Sequence, residues 1–309
     1  MRIAVLDLGT NTFNLLIAEI VEGMNYKVLI NTKEGVKLGR GGINQKVITK
    51  DAFQRGIDAI ARHFLLIGQY KVDKVIAFAT SAIRDADNGQ DFAETLKEKF
   101  NLTISVISGD KEAELIYLGV KQTLPFRDKR FLILDIGGGS NEFIVADDNQ
   151  IFWKRSFKLG MARLLEKFHT SDPITLEEIV QLEIYFKNEL KELFEKVILY
   201  KPEVFIGASG SFDSFVAMLV SEKFLEYKDV GIFHEIPIHI YGQLHQNLLK
   251  STKSDRDNMK GLEPVRRDMI VLASVFVNFV IKELGFQTMY QSAYSLKEGA
   301  MLEMINGKI

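Results

Sequence analysis

Residues 130–146 read RFLILDIGGGSNEFIVA, and residues 2–20 read RIAVLDLGTNTFNLLIAEI. In each stretch an apolar run of strand length ends in Asp, an apolar residue and Gly. A polar turn follows, and then a second apolar run. Strand, turn, strand is the simplest reading of such a pattern. The spacing from Asp7 to Ala18 equals that from Asp135 to Ala146. We read this as an internal repeat in which two lobes open on the same hairpin. The repeat is far too long for a solenoid unit.

Outward from the first hairpin, Val28–Thr32 adds a strand and 37–42 a basic, glycine-rich loop. Thr49 caps a helix over Lys50–Tyr70, whose apolar residues Phe53, Ile57, Ile60, Phe64 and Ile67 recur at helical spacing. Strand Lys74–Ala79, helix Gln90–Phe100, strand Thr103–Ile107 and helix Lys111–Leu118 follow. Alternating strands and helices define an α/β protein. The turn-rich segment 123–128 interrupts the alternation, so we expect an N-terminal lobe over 1–124 and a C-terminal lobe over 125–309. Beyond the second hairpin the pattern predicts a long helix over Glu177–Tyr200, a strand at Val204–Ile206 and a helix over Phe212–Val220. Helices cover much of Tyr241–Gly285, and a last one spans Leu296–Ile305, placed to pack back on the first lobe.

Bulk composition narrows the function. A chain of 309 residues exceeds the usual single domain, and 47% hydrophobic residues supply two cores. A net charge of -2 gives no global basic field, so nucleic acid is not an expected partner. Without cysteine there are no disulfides, thiolate metal sites or thiol nucleophiles. The N-terminus lacks the regions of a signal peptide. The longest apolar run, 269–281, falls short of the ~20 residues that cross a bilayer. We therefore expect a cytoplasmic protein without a membrane partner.

Five motifs carry chemistry, and each has an ordinary structural reading beside it. The turn Gly9-Thr10-Asn11-Thr12 offers consecutive amides and hydroxyls to phosphate oxygens, or is a plain hairpin turn. Three successive glycines, Gly137-Gly138-Gly139, followed by Ser140, cost about 0.5–1 kcal/mol each on ordering relative to Ala. Either a ligand approaches that backbone closely or the turn is merely flexible. Asp135 and Glu142 flank it and can converge on a hydrated Mg²⁺. Gly207-Ala208-Ser209-Gly210-Ser211, between strand and helix, is an anion or nucleotide site, or a tight connection. Thr80-Ser81-Ala82-Ile83-Arg84 lies at the carboxyl end of a buried strand, where Arg84 offers a planar fork to phosphate or sits at the surface after a helix cap. Ser108-Gly109-Asp110-Lys111-Glu112-Ala113-Glu114 sets three acids at a helix start. They complement the helix dipole, or one of them is a general base. There is no Walker loop and no Gly-x-Ser-x-Gly elbow, and the five histidines form no ligand pattern.

Taken in order, these motifs resemble the exopolyphosphatase/guanosine pentaphosphatase family. Segments 158–164, 266–268 and 294–299 extend the resemblance, so that it runs from Asp7 to Gly299. It implies the two-lobed actin/sugar-kinase/heat-shock-chaperone (ribonuclease H-like) fold with the active site in the interlobe cleft. It implies a hydrolase releasing terminal orthophosphate from inorganic polyphosphate or guanosine pentaphosphate, and a homodimer. By the same resemblance Glu112 is the catalytic glutamate that readies water, and Arg84 is the family's arginine after Thr-Ser-Ala, expected to stabilise the equatorial phosphate oxygens. Asp135 and Glu142 serve Mg²⁺, and Thr10–Thr12 and Gly137–Ser140 bind phosphate; from the motifs themselves we add Gly9, Ser209 and Gly210 to the expected phosphate contacts. Thr10 and Thr12 stand where Ser is frequent, Lys111 where a second Glu is common, and Lys297 where Arg is usual. Longer members continue into helical C-terminal domains that hold polymer and dimerise. The expectation of processivity does not extend to a chain of this length. Lys33, Lys37 and Arg40, or Lys121, Arg127, Lys129 and Arg130, either guide a polyanion or are solvated surface charges. The alternatives are a phosphotransferase of the same fold and a non-catalytic guanosine tetra- or pentaphosphate-binding regulator.

Overall fold

The computed structural model describes residues 1–21, 25–208, 210–225 and 231–307. The first part runs β1 (Arg2–Leu8), β2 (Thr12–Val21), β3 (Asn25–Gly35), α1 (Lys50–Gln69), β4 (Lys74–Ala79), α2 (Ser81–Arg84), α3 (Gly89–Phe100), β5 (Ser105–Val106) and α4 (Gly109–Lys121). The second begins with β6 (Phe131–Ile136), β7 (Asn141–Ala146), β8 (Ile151–Phe157), α5 (Met161–Phe168), α6 (Leu176–Glu189) and α7 (Lys191–Tyr200). It continues with β9 (Val204–Ala208), α8 (Gly210–Ser221), β10 (Phe233–Ile236), α9 (Ile238–Lys250), α10 (Lys253–Asn258), α11 (Ile270–Leu284), β11 (Met289–Ser292) and α12 (Leu296–Ile305).

Among the described residues the strands form two sheets, ordered β3-β2-β1-β4-β5 and β8-β7-β6-β9-β11-β10. The leading strand of each pairs antiparallel with its hairpin partner and parallel with the strand after the first crossover. The two halves thus share one topology, that of the two-lobed ribonuclease H-like fold. Their hairpins pair in the same register: Asp7 lies opposite Asn14, and Asp135 opposite Glu142.

Both leading strands read as unbroken apolar runs because both of their faces are covered. Ile3 and Val5, with Phe131 and Ile133, turn inward to a core shared with Leu115 and Ile116 of α4 and Ala300 and Met301 of α12. Ala4, Leu6 and Leu8 face the outer core of the first sheet, and Leu132, Leu134 and Ile136 that of the second. Helices α4 and α12 lie between the sheets and touch through glycine. A Cβ on Gly119 would strike the carbonyl of Ser295, and one on Gly299 the carbonyl of Leu115.

Several elements depart from expectation. The helix expected over Glu177–Tyr200 divides at Leu190, which both caps α6 and precedes α7. Leu182, Phe186, Leu190 and Leu193 all remain fully buried, so the break keeps both segments on the core. The strand expected over Thr103–Ile107 shortens to Ser105–Val106. Strands β8, β10 and β11 had no clear signal. Every residue of β8 before Phe157 is partly or fully exposed, and β10 and β11 span four residues each. Among the described residues no helix is long and apolar enough to cross a membrane.

Candidate active site

Each hairpin turn closes on itself in the same way. Gly9 N–H donates to Thr12 O at 3.0 Å, and Gly137 N–H to Ser140 O at 3.0 Å. The carbonyls of both turns are held from behind. Asn11 O accepts from Val36 N (2.8 Å) and Lys37 N (2.9 Å), and Thr10 O from Gly39 N (3.3 Å). In the second lobe the first turn of α5 does this: Gly137 O accepts from Met161 N (3.0 Å) and Gly138 O from Ala162 N (2.8 Å). A trans peptide points its N–H opposite its C=O, so carbonyls fixed backward leave amides facing forward. Among the described residues the amides of Thr10, Asn11, Gly138, Gly139 and Ser140 donate to no protein acceptor. Such a row of free amides is a concave anion site.

The glycines also serve the contact between the turns. A Cβ on Gly138 would collide with the Asn11 side chain, and one on Gly139 with Ser81 Oγ and Thr10 Oγ1. The two lobes therefore meet turn against turn, above a cavity of about 490 Å³.

Carboxylates line that cavity. Glu112 enters from the first turn of α4, whose start is fixed by Ser108 Oγ accepting from Lys111 N (3.2 Å). Arg84 Nη1 donates to Glu112 Oε2 at 3.0 Å and to Ile107 O at 3.0 Å. Burial and the nearby Glu142 still hold the Glu112 pKa well above the ordinary glutamate value, against the pull of Arg84. Asp135 accepts from Ser295 Oγ at 2.6 Å, and Glu142 from Ser156 Oγ at 2.7 Å. Burial, with Glu142 beside it, pushes Asp135 up to about 8. Burial raises Glu142 too, against the hydroxyls of Ser156 and Ser140. Asp7 is lifted to about 6 by burial, although the Asn14 amide donates to it at 2.8 Å.

This donor set fits a hydrated Mg²⁺. Its acids are oxygen ligands only, and burial plus mutual repulsion make them costly to ionise without a counter-charge. Among the described residues no three acids or histidines cluster closely enough to ligate one ion directly.

Gly9, Thr10, Asn11, Thr12, Gly137, Gly138, Gly139, Ser140, Gly210, Glu112, Asp135 and Glu142 all line the same cavity. Ser209 lies outside the described residues. Arg84 is not on the lining; its fork is turned to Glu112. Lys33 reaches the cavity while pairing with Glu263 (2.6 Å), and Lys37 pairs with Asp268 (2.6 Å). Lys121, Arg127, Lys129 and Arg130 do not line it. Arg127 pairs with Asp148, and the other three lie over the Tyr117, Phe126 and Phe152 rings. Sequence reasoning gave no role to Asp7, Asp213 or Arg266 on the lining. For Asp7 the signal was present, since it occupies the position of Asp135 in the other hairpin. Lys297 is also on the lining. Burial works against its charge, but Glu298, Asp213 and Asp7 outweigh it and hold the proton on.

The fold and this amide- and carboxylate-lined cavity are of a kind suited to holding phosphate groups. The sequence model of the Ppx/GppA phosphatase family matches residues 16–307, and the chain belongs to that family. It is similar to a crystal structure of an exopolyphosphatase from Cytophaga hutchinsonii, at 36% identity and a TM-score of 0.95, covering 99% of this chain and 98% of that one. A bifunctional 3-dehydroquinate synthase/phosphatase of Fusobacterium nucleatum is 30% identical over 99% of this chain, which spans only 47% of that protein. A Haemophilus influenzae protein provisionally named an exopolyphosphatase is 27% identical, covering 98% of this chain and 91% of its own.

Proposed function

We propose that the chain releases terminal orthophosphate from inorganic polyphosphate, and from guanosine pentaphosphate, by magnesium-dependent hydrolysis. The observation that carries this reading is Glu112. It is a buried carboxylate of raised proton affinity, held by Arg84 on the wall of the cavity that two rows of free amides enclose. A phosphoanhydride terminus needs charge neutralisation, positioning and a base for water, and little else. When bound, Mg²⁺ held by Asp135 and Glu142 supplies charge neutralisation on the phosphates. The amides of Asn11, Gly138, Gly139 and Ser140 donate to the equatorial oxygens as charge builds there. Glu112, whose proton affinity burial raises, takes the proton of the attacking water. Arg84 fixes the direction of that carboxylate. Lys33 and Lys297 add positive charge to the wall. The exopolyphosphatase likeness in Cytophaga hutchinsonii supports polyphosphate as the first substrate to try.

The test is phosphate release from both substrates, with Mg²⁺ and with chelator. Glu112→Gln is expected to lower turnover about 10²–10⁴-fold with melting temperature preserved. Equal turnover in the variant removes Glu112 from the reaction. Transfer from ATP to an acceptor without free phosphate would instead make the chain a phosphotransferase.

A further inference from the structure

Of the three glycine carbonyls in the second turn, two are held by backbone amides of α5. The third, Gly139 O, is held by a side chain: Arg163 Nε donates to it at 2.8 Å. The same guanidinium reaches into the first lobe. Nη1 donates to Ile43 O at 2.9 Å and Nη2 to Asp85 Oδ2 at 2.6 Å. Arg163 and Asp85 are both nearly buried, with side chains 11% and 13% exposed. Asp85 also accepts from Ser81 Oγ (3.3 Å), on the cavity wall.

We infer that Arg163 is a positioning residue that couples apposition of the lobes to the orientation of the Gly139–Ser140 peptide. Fixing Gly139 O backward turns the Ser140 N–H toward the cavity. The planar fork permits this only while its other two arms are satisfied across the lobe boundary. Asp85, which touches none of the turn's carbonyls, therefore controls an anion-binding amide in the opposite lobe. The inference rests on the phosphate-binding reading of the turns but not on hydrolysis itself.

The experiment measures orthophosphate binding by calorimetry and phosphate release from tripolyphosphate for Asp85→Asn, Arg163→Lys and the double variant, with melting temperatures. Each single substitution is expected to weaken orthophosphate binding about tenfold, the worth of one charge-assisted hydrogen bond. The double variant is expected to lose no more than either single one, because both break a single unit. Wild-type orthophosphate affinity in Asp85→Asn overturns the inference, as does a double variant whose loss is the sum of the two. If the wild type binds orthophosphate yet hydrolyses no phosphoanhydride, the hydrolase reading fails while the coupling is still decided by the affinities.

Discussion

The two hairpins share register and turn closure, and they differ in the polar pair that flanks the turn. In the first, Asp7 meets Asn14, whose amide donates to it. In the second, Asp135 meets Glu142, acid against acid. Asp7, partly exposed, is raised to about 6, and the buried Asp135 to about 8. An amide partner favours the charged carboxylate, and a second carboxylate opposes it. The first hairpin therefore offsets its acid with an amide, and the second sets two buried acids together with no amide between them.

Giving the second hairpin the neutral partner of the first would break this contrast. Glu142→Gln is expected to cost about 10–100-fold in activity, the range seen when groups supporting a metal are lost. It should also raise thermal stability in chelator, since repulsion with Asp135 ends. Activity equal to wild type at limiting Mg²⁺ would show that the acid pair has no metal role.

A smaller effect separates the lobes at the turns. Gly138→Ala drives a methyl into Asn11 and should cost about 1–3 kcal/mol through overpacking, read as a lower melting temperature with weaker phosphate binding. An unaffected variant would mean that the turns separate freely.

The pH dependence sharpens the comparison. Asp135 in the folded protein binds its proton more tightly than in the unfolded chain. Its contribution to stability is whole below the unfolded value of 3.8 and is lost as pH rises to about 8. His63 and His245, both lowered by burial, act in the opposite sense, but only below their ordinary value of 6.5. Between pH 6.5 and 8, in chelator, stability should fall by about 2 kcal/mol for this one proton. Mg²⁺ should flatten that slope, and Asp135→Asn should reduce it. A slope unchanged by both would place its origin elsewhere.

The smallest effect lies at the rim. Lys37→Ala removes a partly exposed interlobe pair with Asp268, expected to contribute about 0.2–1 kcal/mol and to fade with salt. A larger, salt-independent loss in melting temperature would mean that the rim pair holds the lobes together.

Much of this was legible beforehand because the deciding signals are local. An apolar run ending in Asp-x-Gly names a strand and its turn, and equal spacing after Asp7 and Asp135 fixes both hairpins. What escaped depends on partners distant in sequence. The half-exposed residues of β8 gain their pairing only from β7. An arginine fork suits carboxylate and phosphate equally, so Arg84 reads as a phosphate ligand until Glu112 is seen beside it. Three glycines in a row announce a close approach but not what approaches. Here the neighbours include Asn11, Thr10 and Ser81 as well as the cavity.

The glycine contact between α4 and α12 has a mechanical corollary. Glu112 and Ser295 sit at the starts of these two helices, within roughly 10 Å of the crossing by helical rise. The Lys33–Glu263 and Lys37–Asp268 pairs tie the first lobe to the second through other elements. Any swing about that fulcrum moves atoms in proportion to their lever arm. Parts far from the crossing would sweep a large arc, while Glu112, close to it, would shift least.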